Sequence, residues 1–496
     1  MQRIVSQKVV VGVVFVAAMF MSIMDVTIVN VALPTIGRDF GTSPTSVDSI
    51  SIGFLVSLAV FIPASGWLGD RFGGKRTLLV AIVVFTVASA LCGASTSIGE
   101  LVFFRVLQGV GGGMLAPVGM AMLFRTFPPE ERIRASAILT VPTALAPALG
   151  PVLGGLFTDD LSWRWVFFVN IPIGIAAFVF GLIFLIEPPL QAAKRFDLPG
   201  FLLSGIGLGA LMYGVSEGPN KGWGSSEIVA TIAVGVVLLI VMVGVELRIP
   251  VPIVSVRLLA NQLFRVSNGV MILASTAFLG GLYLVAIYFQ DGRGMSALAS
   301  GLSTFPEALG VMCGSQIATR VFYPRLGPRR HICLGLTGVA ASLGLMGLLT
   351  ADTSLWWPRV LMFALGLFMS QVFVPMQAAA FATVSPRSMG QASTMFNALR
   401  QLGGAVGVAV FTSVVVAVGT TKHVGDATVA NLSAYRIAFV VAAGIAICGI
   451  VCALRIHDHD AIATLSESAP ARRRIEAEAS EPAAMQPRTL TVDVLD

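Results

Sequence analysis

The chain has 496 residues, of which 56% are hydrophobic and only 12% are charged. Soluble domains carry about 25% charged residues, so this composition excludes a soluble globular protein. The net charge of +6 does not indicate a nucleic-acid partner, because the basic residues cluster in short loops between long apolar runs. The five cysteines lie in apolar runs at no metal-ligand spacing, and the four histidines lie in loops or the tail. We therefore expect no metal and no cofactor.

Apolar stretches long enough to cross a bilayer recur along the chain, since such a helix needs about 20 mostly apolar residues. We identify fourteen, near 9–33, 49–69, 77–97, 101–124, 135–157, 165–187, 198–217, 228–246, 266–290, 297–319, 332–350, 358–382, 388–417 and 436–454. With residue 1 inside, 18 of the 32 Lys and Arg residues fall on the inner side and six in outer loops. This bias predicts that both termini lie in the cytoplasm.

An internal repeat relates the two ends of this series of spans. The loop at 66–76 reads GWLGDRFGGKR, and the loop at 324–330, which reads PRLGPRR, matches it at an offset of 254 residues. At the same offset Arg105 matches Arg359. A repeat of this length in a membrane chain indicates two homologous halves with a pathway between them, as in transporters.

The repeat and the spans together predict the domain organisation. We expect a cytoplasmic N-terminus at 1–8, a six-helix bundle at 9–187, a linker with two inserted helices at 188–264, a second six-helix bundle at 265–455 and a tail at 456–496. The tail is rich in Ala, Pro, Glu and Arg without an apolar period, so we expect it to be disordered. The predicted fold is an all-α polytopic membrane protein of fourteen transmembrane helices.

Two ionisable residues of the first half, Asp25 and Arg105, lie within spans, where such residues are costly and are functional candidates. Asp25 lies about 24 Å from the inner end of the first span, and Arg105 lies about 6 Å below the outer end of the fourth, so they reach the same depth. We hypothesise that Asp25 binds a transported proton. Burial disfavours its charge and an approaching Arg105 favours it. The alternative is that Asp25 hydrogen-bonds its neighbours and merely packs its helix.

The second half has Leu279 where the repeat places the counterpart of Asp25, which predicts asymmetric coupling. It instead carries Glu307 and Arg400 near the midplane, where transporter substrate sites usually lie. Two interpretations remain open. Glu307 is either an anionic anchor for cationic substrates or the partner of Arg400 in a buried structural ion pair.

Several motifs together resemble those of one family. Residues 25–34 (DVTIVNVALP) match the first-helix signature of the fourteen-helix drug:proton antiporters of the major facilitator superfamily, the EmrB/QacA type. The loop at 66–76 resembles the loop 2–3 motif of the superfamily. Residues 105–109 (RVLQG) resemble its helix-4 motif, 150–155 (GPVLGG) the antiporter motif of helix 5, and 397–404 (NALRQLGG) a motif of helix 13.

This resemblance implies the major facilitator fold, with two six-helix bundles plus two extra helices. It implies proton-coupled efflux of hydrophobic, often cationic drugs across the bacterial cytoplasmic membrane by alternating access. The alternative is an exporter of a lipid or an endogenous metabolite that uses the same fold. The expected partners are small hydrophobic molecules, protons and membrane lipids. The sequence does not show whether a periplasmic adaptor binds. An enzyme is not expected, because no polar catalytic cluster and no phosphate-binding loop is present.

The resemblance also supplies candidate residues for gating and for substrate binding. The gating candidates are Asp70, Arg71, Lys75, Gly150, Pro151, Gly154 and Gly155. The small residues would let helix 5 pack closely against the second half, although ordinary helix packing explains them as well. In the second copy of the repeat, Pro324 stands at the position equivalent to Asp70. Among the loop residues, we therefore favour a gating role for Asp70 alone. Asn397 joins Glu307 and Arg400 as a candidate for substrate binding.

Overall fold

The computed structural model describes residues 6–42, 44–187, 196–250, 252–350, 352–424 and 427–480, and the side chains of a few helical residues, Pro151 among them, also lie outside the described part. The first half contains α1 (Gln7–Phe40), α2 (Pro44–Phe72), α3 (Gly74–Ala94), α4 (Ile98–Thr126), α5 (Arg132–Asp160), α6 (Trp165–Phe168) and α7 (Asn170–Phe184). Next come α8 (Leu198–Lys221) and α9 (Ser226–Glu246). A 3₁₀ turn (Pro129–Glu131) precedes α5, and another (Val256–Ala260) follows α9.

The second half contains α10 (Gln262–Ile287), α11 (Ala297–Thr304), α12 (Pro306–Ile317), α13 (Tyr323–Leu326), α14 (Pro328–Met346), α15 (Trp356–Ala380), α16 (Met389–Val418) and α17 (Leu432–Ala453). Two π-helical turns (Tyr288–Gly292 and Ala318–Phe322) follow α10 and α12. A small antiparallel hairpin of β1 (Thr421–Val424) and β2 (Ala427–Ala430) precedes α17. Helices dominate because a bilayer offers no partners to backbone N–H and C=O groups, which a helix satisfies internally.

Eleven helices of the described residues are long and apolar enough to cross a bilayer. The three other predicted spans coincide with α5, with α11 and α12 together, and with α14. The span predicted at 297–319 is not one continuous helix. It is divided before Pro306, which has no N–H to donate, and again at the π-turn Ala318–Phe322.

The helix contacts follow the repeat that the sequence predicts. In the first half α1 packs on α5, α2 on α4, and α3 on α7. In the second half α10 packs on α16, α12 on α15, and α14 on α17, at the equivalent positions. The inserted helices α8 and α9 pack on each other, and α8 also contacts α2 and α16. They therefore lie beside the line along which α2 of one half meets α16 of the other.

The first part of the tail is ordered, which corrects our expectation for residues 456–480. It forms a 3₁₀ helix (Asp458–Thr464) and α18 (Pro470–Ser480). Sparse apolar residues explain this, because Leu465 and Ile475 are buried in a cluster with Ile133 of α5 and with residues of the second half. The remaining tail residues lie outside the described part of the chain.

Polar contacts hold the same segment to the second half. The backbone N–H of Arg329 donates to Asp458 Oδ1 at 2.7 Å, and Arg474 Nη2 donates to the carbonyl of Leu326 at 2.7 Å. Burial raises the pKa of the Asp458 carboxyl, and the hydrogen bond from Arg329 opposes that shift. The hydroxyls of Tyr323 and Thr464 also form a buried hydrogen bond.

We expect Leu465→Asp to release this segment. Leu465 is 1% exposed, and burying a leucine side chain contributes about 1.5–3 kcal/mol, which a buried carboxylate would reverse. Trypsin should therefore cleave the variant after Arg472–Arg474 at least about tenfold faster than the wild-type chain. Ser466→Asp is the matched control, because it adds the same charge at an exposed neighbouring position. Equal cleavage of both variants would contradict the packing role of Leu465.

Candidate functional site

A buried group of four polar side chains, which we call the Asp25 cluster, joins three helices of the first half. It comprises Asp25 of α1, Arg105 and Gln108 of α4, and Asn170 of α7, each at most 1% exposed. The carboxylate of Asp25 accepts hydrogen bonds from all three partners: a short one from Arg105, one of 2.8 Å from Gln108 and one of 3.0 Å from Asn170. Asp25 and Arg105, which the sequence places at the same depth, are thus in direct contact.

A further set of contacts orients the Asp25 cluster. Arg105 Nε donates to the carbonyl of Ile50 at 3.3 Å, and its guanidinium lies 4.3 Å from the ring centre of Phe54. Arg105 also donates to the side-chain oxygen of Gln108 at 2.8 Å. Almost every donor and acceptor of the Asp25 cluster is hydrogen-bonded, and the cluster is buried. Arg105 and the two amide donors therefore stabilise the charge on Asp25 in place of solvent.

Sequence reasoning identified Asp25 and Arg105 but missed Gln108 as their partner. Gln108 lies three residues after Arg105, so the two share one face of α4, and that spacing was the available signal. Asn170 belongs to the residues that match the family, but no spacing links it to Asp25: it is 145 residues away and reaches the carboxylate only because α7 packs on α1 and α3. Asn170 also donates to Ser89 at 3.0 Å.

The second half holds no equivalent acid at the matching position. Leu279 occupies it, and Arg359, the repeat counterpart of Arg105, donates instead to Ser303 at 3.4 Å. The guanidinium of Arg359 also lies 5.4 Å from the ring centre of Trp356. The two halves therefore share an architecture but differ in their ionisable chemistry.

Glu307 and Arg400 lie apart from the Asp25 cluster, in the second half. Glu307 is 2% exposed in the first turn of α12, and its Oε1 has no hydrogen-bond partner. Arg400 is half-buried in α16. Within the described part of the chain we find no ion pair or hydrogen bond between them, so the structure does not show the buried pair considered above.

The two halves meet through α16, which packs against α2 and α4. The hydroxyls of Ser65 and Thr394 lie 3.2 Å apart, and Ser393 donates to the carbonyl of Pro117 at 2.8 Å. Asn397 is 1% exposed at the same contact, where it donates to Ser393 O at 2.9 Å and to the sulfur of Met120 at 3.5 Å. Asn397 thus lies in the contact between the halves rather than in an open cavity.

Asp70 forms an ion pair with Arg125 of its own half, and each of the two side chains also contacts the second half. Its Oδ1 lies 2.6 Å from Arg125 Nη2, and Arg125 Nε donates to the carbonyl of Pro386 at 3.1 Å. The carboxylate also faces the first turn of α16, since a Cβ atom on Gly390 would lie 3.1 Å from Oδ1. A negative charge at a helix N-terminus is favourable. We call Ser65, Asp70, Arg125, Ser393 and Thr394 the seal.

The other two charged candidates of the loop do not belong to the seal. Lys75 Nζ donates to the carbonyls of Leu182 and Leu185 at 2.9 Å and 2.6 Å, which satisfies the end of α7 in its own half. Glu187 accepts hydrogen bonds from the backbone N–H groups that open α3. Arg71 is exposed, and no ion pair is found for it among the described residues.

The glycines of α5 pack against α1 of their own half. A Cβ on Gly150 would lie 2.0 Å from the hydroxyl oxygen of Thr27, and Gly154 also faces α1, whereas Gly155 has open space around it. The expectation that these glycines pack against the second half is therefore wrong. Contacts of α5 with α11, α12 and α15 come from other positions. The side chain of Pro151 lies outside the described part.

We expect Gly150→Ala to destabilise the protein. The added methyl group overlaps Thr27 and forces α1 and α5 apart, and overpacking of this kind costs about 1–3 kcal/mol. Gly155→Ala makes the same change where nothing lies within 4 Å. Thermal unfolding in detergent measures both, and the midpoint should fall for position 150 alone. Equal midpoints would show that α1 and α5 can separate without cost.

Comparison with known proteins identifies the family. The sequence profile of the Major Facilitator Superfamily matches residues 15–408. The "Multidrug resistance protein B homolog" of Mycobacterium tuberculosis is 33% identical over 383 residues, covering 76% of this chain and 71% of the relative. The "Tetracenomycin C resistance and export protein" of Streptomyces glaucescens is 33% identical over 381 residues, covering 77% and 71%. The "Putative multidrug resistance protein MdtD" of Escherichia coli is 32% identical over 389 residues, covering 76% and 80%.

A solved structure agrees with the fold. The human organic anion transporter MFSD10 (TETRAN) superposes with a TM-score of 0.64 over 90% of this chain and 99% of its own, at 16% identity. At that identity the likeness concerns the fold alone. The family profile and the relatives above 30% identity carry the assignment. The chain is a multi-pass membrane transporter and belongs to the Major Facilitator Superfamily.

Proposed function

We propose that the protein is a proton-coupled antiporter that exports hydrophobic, often cationic drugs across the bacterial cytoplasmic membrane by alternating access. Its fourteen predicted spans and its motifs support membership of the fourteen-helix drug:proton antiporter subfamily, and the distribution of basic residues supports a cytoplasmic position for both termini. Relatives named for multidrug resistance support the substrate class. The observation that carries the proton coupling is the Asp25 cluster, a fully buried carboxylate whose charge is balanced by one arginine.

Protonation of Asp25 would remove the charge that holds Arg105. A neutral carboxyl accepts hydrogen bonds weakly, so the buried guanidinium would lose its partner and the arrangement of α1 and α4 would become unfavourable. Because Gly150 of α5 packs directly on Thr27, two residues after Asp25, a shift of α1 moves α5 as well. Helix α5 contacts the second half and passes the movement on.

The seal supplies the second state-dependent contact. With the loop at 66–76 on the cytoplasmic side, as the distribution of basic residues predicts, the structure is closed toward the cytoplasm. Inward opening must break the hydrogen bond from Arg125 to Pro386, separate Asp70 from the start of α16 and break the contacts of Ser393 and Thr394. Two global states that differ in these contacts, together with a proton that binds one of them better, are what coupled transport requires.

The test uses purified wild-type protein in liposomes with an imposed pH gradient and a fluorescent cationic dye. We expect dye movement against its concentration gradient, driven by the proton gradient and abolished by a protonophore. Dye movement that ignores the pH gradient would overturn proton coupling and leave the family assignment untouched.

Glu307 is the candidate anchor for cationic substrates, because its Oε1 is buried without a partner. We expect Glu307→Gln to lower the transport of cationic dyes by about tenfold or more, since a charge-assisted contact contributes about 1.5–3 kcal/mol. Neutral substrates should be transported at the wild-type rate, because glutamine keeps the shape of the side chain. Equal loss of cationic and neutral substrates would contradict the anchor.

One relative favours the alternative substrate class. The protein of Streptomyces glaucescens is named for export of tetracenomycin C as well as for resistance to it. Export of an endogenous metabolite would use the same Asp25 cluster and the same seal, so the two readings differ in substrate only. Uptake of candidate compounds into inside-out vesicles separates them.

A further inference from the structure

A cavity of about 570 Å³ lies between the two halves, and none of its lining residues belongs to the Asp25 cluster or to the seal. Three of its lining residues come from α5 and three from α12 and the π-turn that follows it. They are Arg134, Ala137, Ile138, Gln316, Thr319 and Arg320. Its volume falls within the range of about 300–1,000 Å³ that small-molecule sites occupy. Both halves therefore contribute equally to one concave site.

The charge of this cavity is not balanced by the protein. Arg134 and Arg320 are both exposed, and among the described residues neither guanidinium has a hydrogen bond or ion pair. The nearby acid Glu131 pairs instead with Lys8 at 2.5 Å. Two guanidinium groups that line one cavity without a carboxylate fit an anionic ligand, and arginine binds phosphate through two parallel hydrogen bonds.

The depth of the residues points to an amphiphile. Arg134 lies in the first turn of α5, and Ile138 lies one turn, about 6 Å, farther into the membrane. The facing segment, α12 with its π-turn, runs in the opposite direction to α5. Arg320 therefore lies at the rim of the cavity, and Gln316 lies one turn deeper. Both arginines thus lie at the mouth of the cavity, at the ends of their helices, and the deeper lining residues carry no charge.

We propose that this cavity binds the phosphate of an anionic phospholipid, held between Arg134 and Arg320. The lipid comes from the cytoplasmic leaflet, the side on which the distribution of basic residues places both arginines. Basic pockets between membrane helices at this level bind anionic headgroups in other proteins. A soluble phosphate would match the two arginines but would leave the deeper apolar wall at Ala137 and Ile138 unused. A lipid held by both halves bridges them and stabilises the conformation in which the seal is closed.

Native mass spectrometry of the full-length protein tests this proposal. The probes are phosphatidylglycerol, phosphatidylcholine and sn-glycerol 3-phosphate, added separately to detergent-solubilised protein. We expect phosphatidylglycerol to bind and to be retained, and Arg134→Gln or Arg320→Gln to weaken that binding about tenfold each. The double variant should lose little more than either single variant, because both arginines hold one phosphate. Arg325→Gln is the matched control, an exposed arginine of the same face outside the cavity.

Each contrary outcome overturns the proposal. If Arg325→Gln weakened phosphatidylglycerol binding as much as the cavity variants do, the lipid would be attracted to the basic face in general. If phosphatidylcholine bound as tightly as phosphatidylglycerol, the site would not distinguish an anionic from a zwitterionic headgroup. Equal binding of sn-glycerol 3-phosphate would identify a site for a soluble anion rather than a lipid. Unfolding midpoints in detergent without added lipid confirm that the variants are folded. Arg134→Lys and Arg320→Lys, which keep the charge, should bind phosphatidylglycerol more tightly than the glutamine variants.

Discussion

Asp25→Asn is expected to abolish transport driven by the pH gradient, down to the level of protein-free liposomes. Asparagine has the shape of aspartate but takes up no proton at physiological pH, so the cycle has no step at which a proton can be exchanged. The measurement is accumulation of a cationic dye against its gradient, in proteoliposomes with an imposed pH difference. Uphill accumulation at the wild-type rate would eliminate Asp25 as the coupling residue.

The variant also carries a cost in stability that has to be separated from the loss of coupling. Removing the carboxylate leaves the buried guanidinium of Arg105 without a counter-charge, which costs about 3–5 kcal/mol. The double variant Asp25→Asn with Arg105→Gln removes both charges and should recover most of the lost thermal stability. It should exchange substrate down a concentration gradient yet fail to accumulate it. This combination distinguishes lost coupling from misfolding.

A matched control lies on the same helix. Asp39 is exposed near the end of α1 and pairs with Arg164 at 3.3 Å. The Asp39 carboxylate also accepts a hydrogen bond from Trp163. Because this carboxylate lies at the surface, its ion pair contributes only about 0–1 kcal/mol. Asp39→Asn should therefore leave uphill transport within about twofold of the wild-type rate.

Asp70→Asn is expected to open the seal. The change removes the negative charge at the start of α16 and the ion pair that orients Arg125 toward the carbonyl of Pro386, interactions of about 1–3 kcal/mol together. A shift of about 1.4 kcal/mol is tenfold in an equilibrium, so a change of about 1–3 kcal/mol should raise the ratio of open to closed protein on the loop side by about fivefold or more. Net transport should fall because the outward-facing state becomes rare.

Thiol accessibility measures this opening directly. Ser393 is fully buried in the seal, and Ser393→Cys in a background without the five native cysteines gives a single reporter. A membrane-impermeant maleimide should label it faster in Asp70→Asn than in the parent protein. Arg71→Gln is the control, because Arg71 is the next residue, is exposed and is not part of the seal. Unchanged labelling in Asp70→Asn would mean that Asp70 does not hold the halves together.

Periodicity and charge alone predicted much of the architecture. Apolar runs of about 20 residues locate spans because the bilayer imposes a fixed thickness on every helix. The offset of 254 residues predicted that the halves pack alike, and α1 on α5 does match α10 on α16. The common depth of Asp25 and Arg105 followed from their positions in the chain, since 1.5 Å per residue converts sequence position into height.

Height along a helix says nothing about which neighbour a side chain faces, and this is where sequence reasoning failed. Gly150 was expected at the second half and lies against Thr27, because its direction depends on the rotation of α5. Asn397 was a substrate candidate and lies buried at Met120 for the same reason. Glu307 and Arg400 have similar predicted depths, yet no contact joins them in the described residues.

The sequence by itself therefore determined the number and length of the apolar segments, the repeat and the depth of the buried charges. Each of these depends on local composition and on the thickness of the bilayer. Only the tertiary structure decided that Gln108 and Asn170 hydrogen-bond to Asp25. It also decided that Arg125, the ion-pair partner of Asp70, contacts the second half, and that part of the tail is ordered. Those contacts join residues far apart in the chain, and packing of helix on helix alone brings them together.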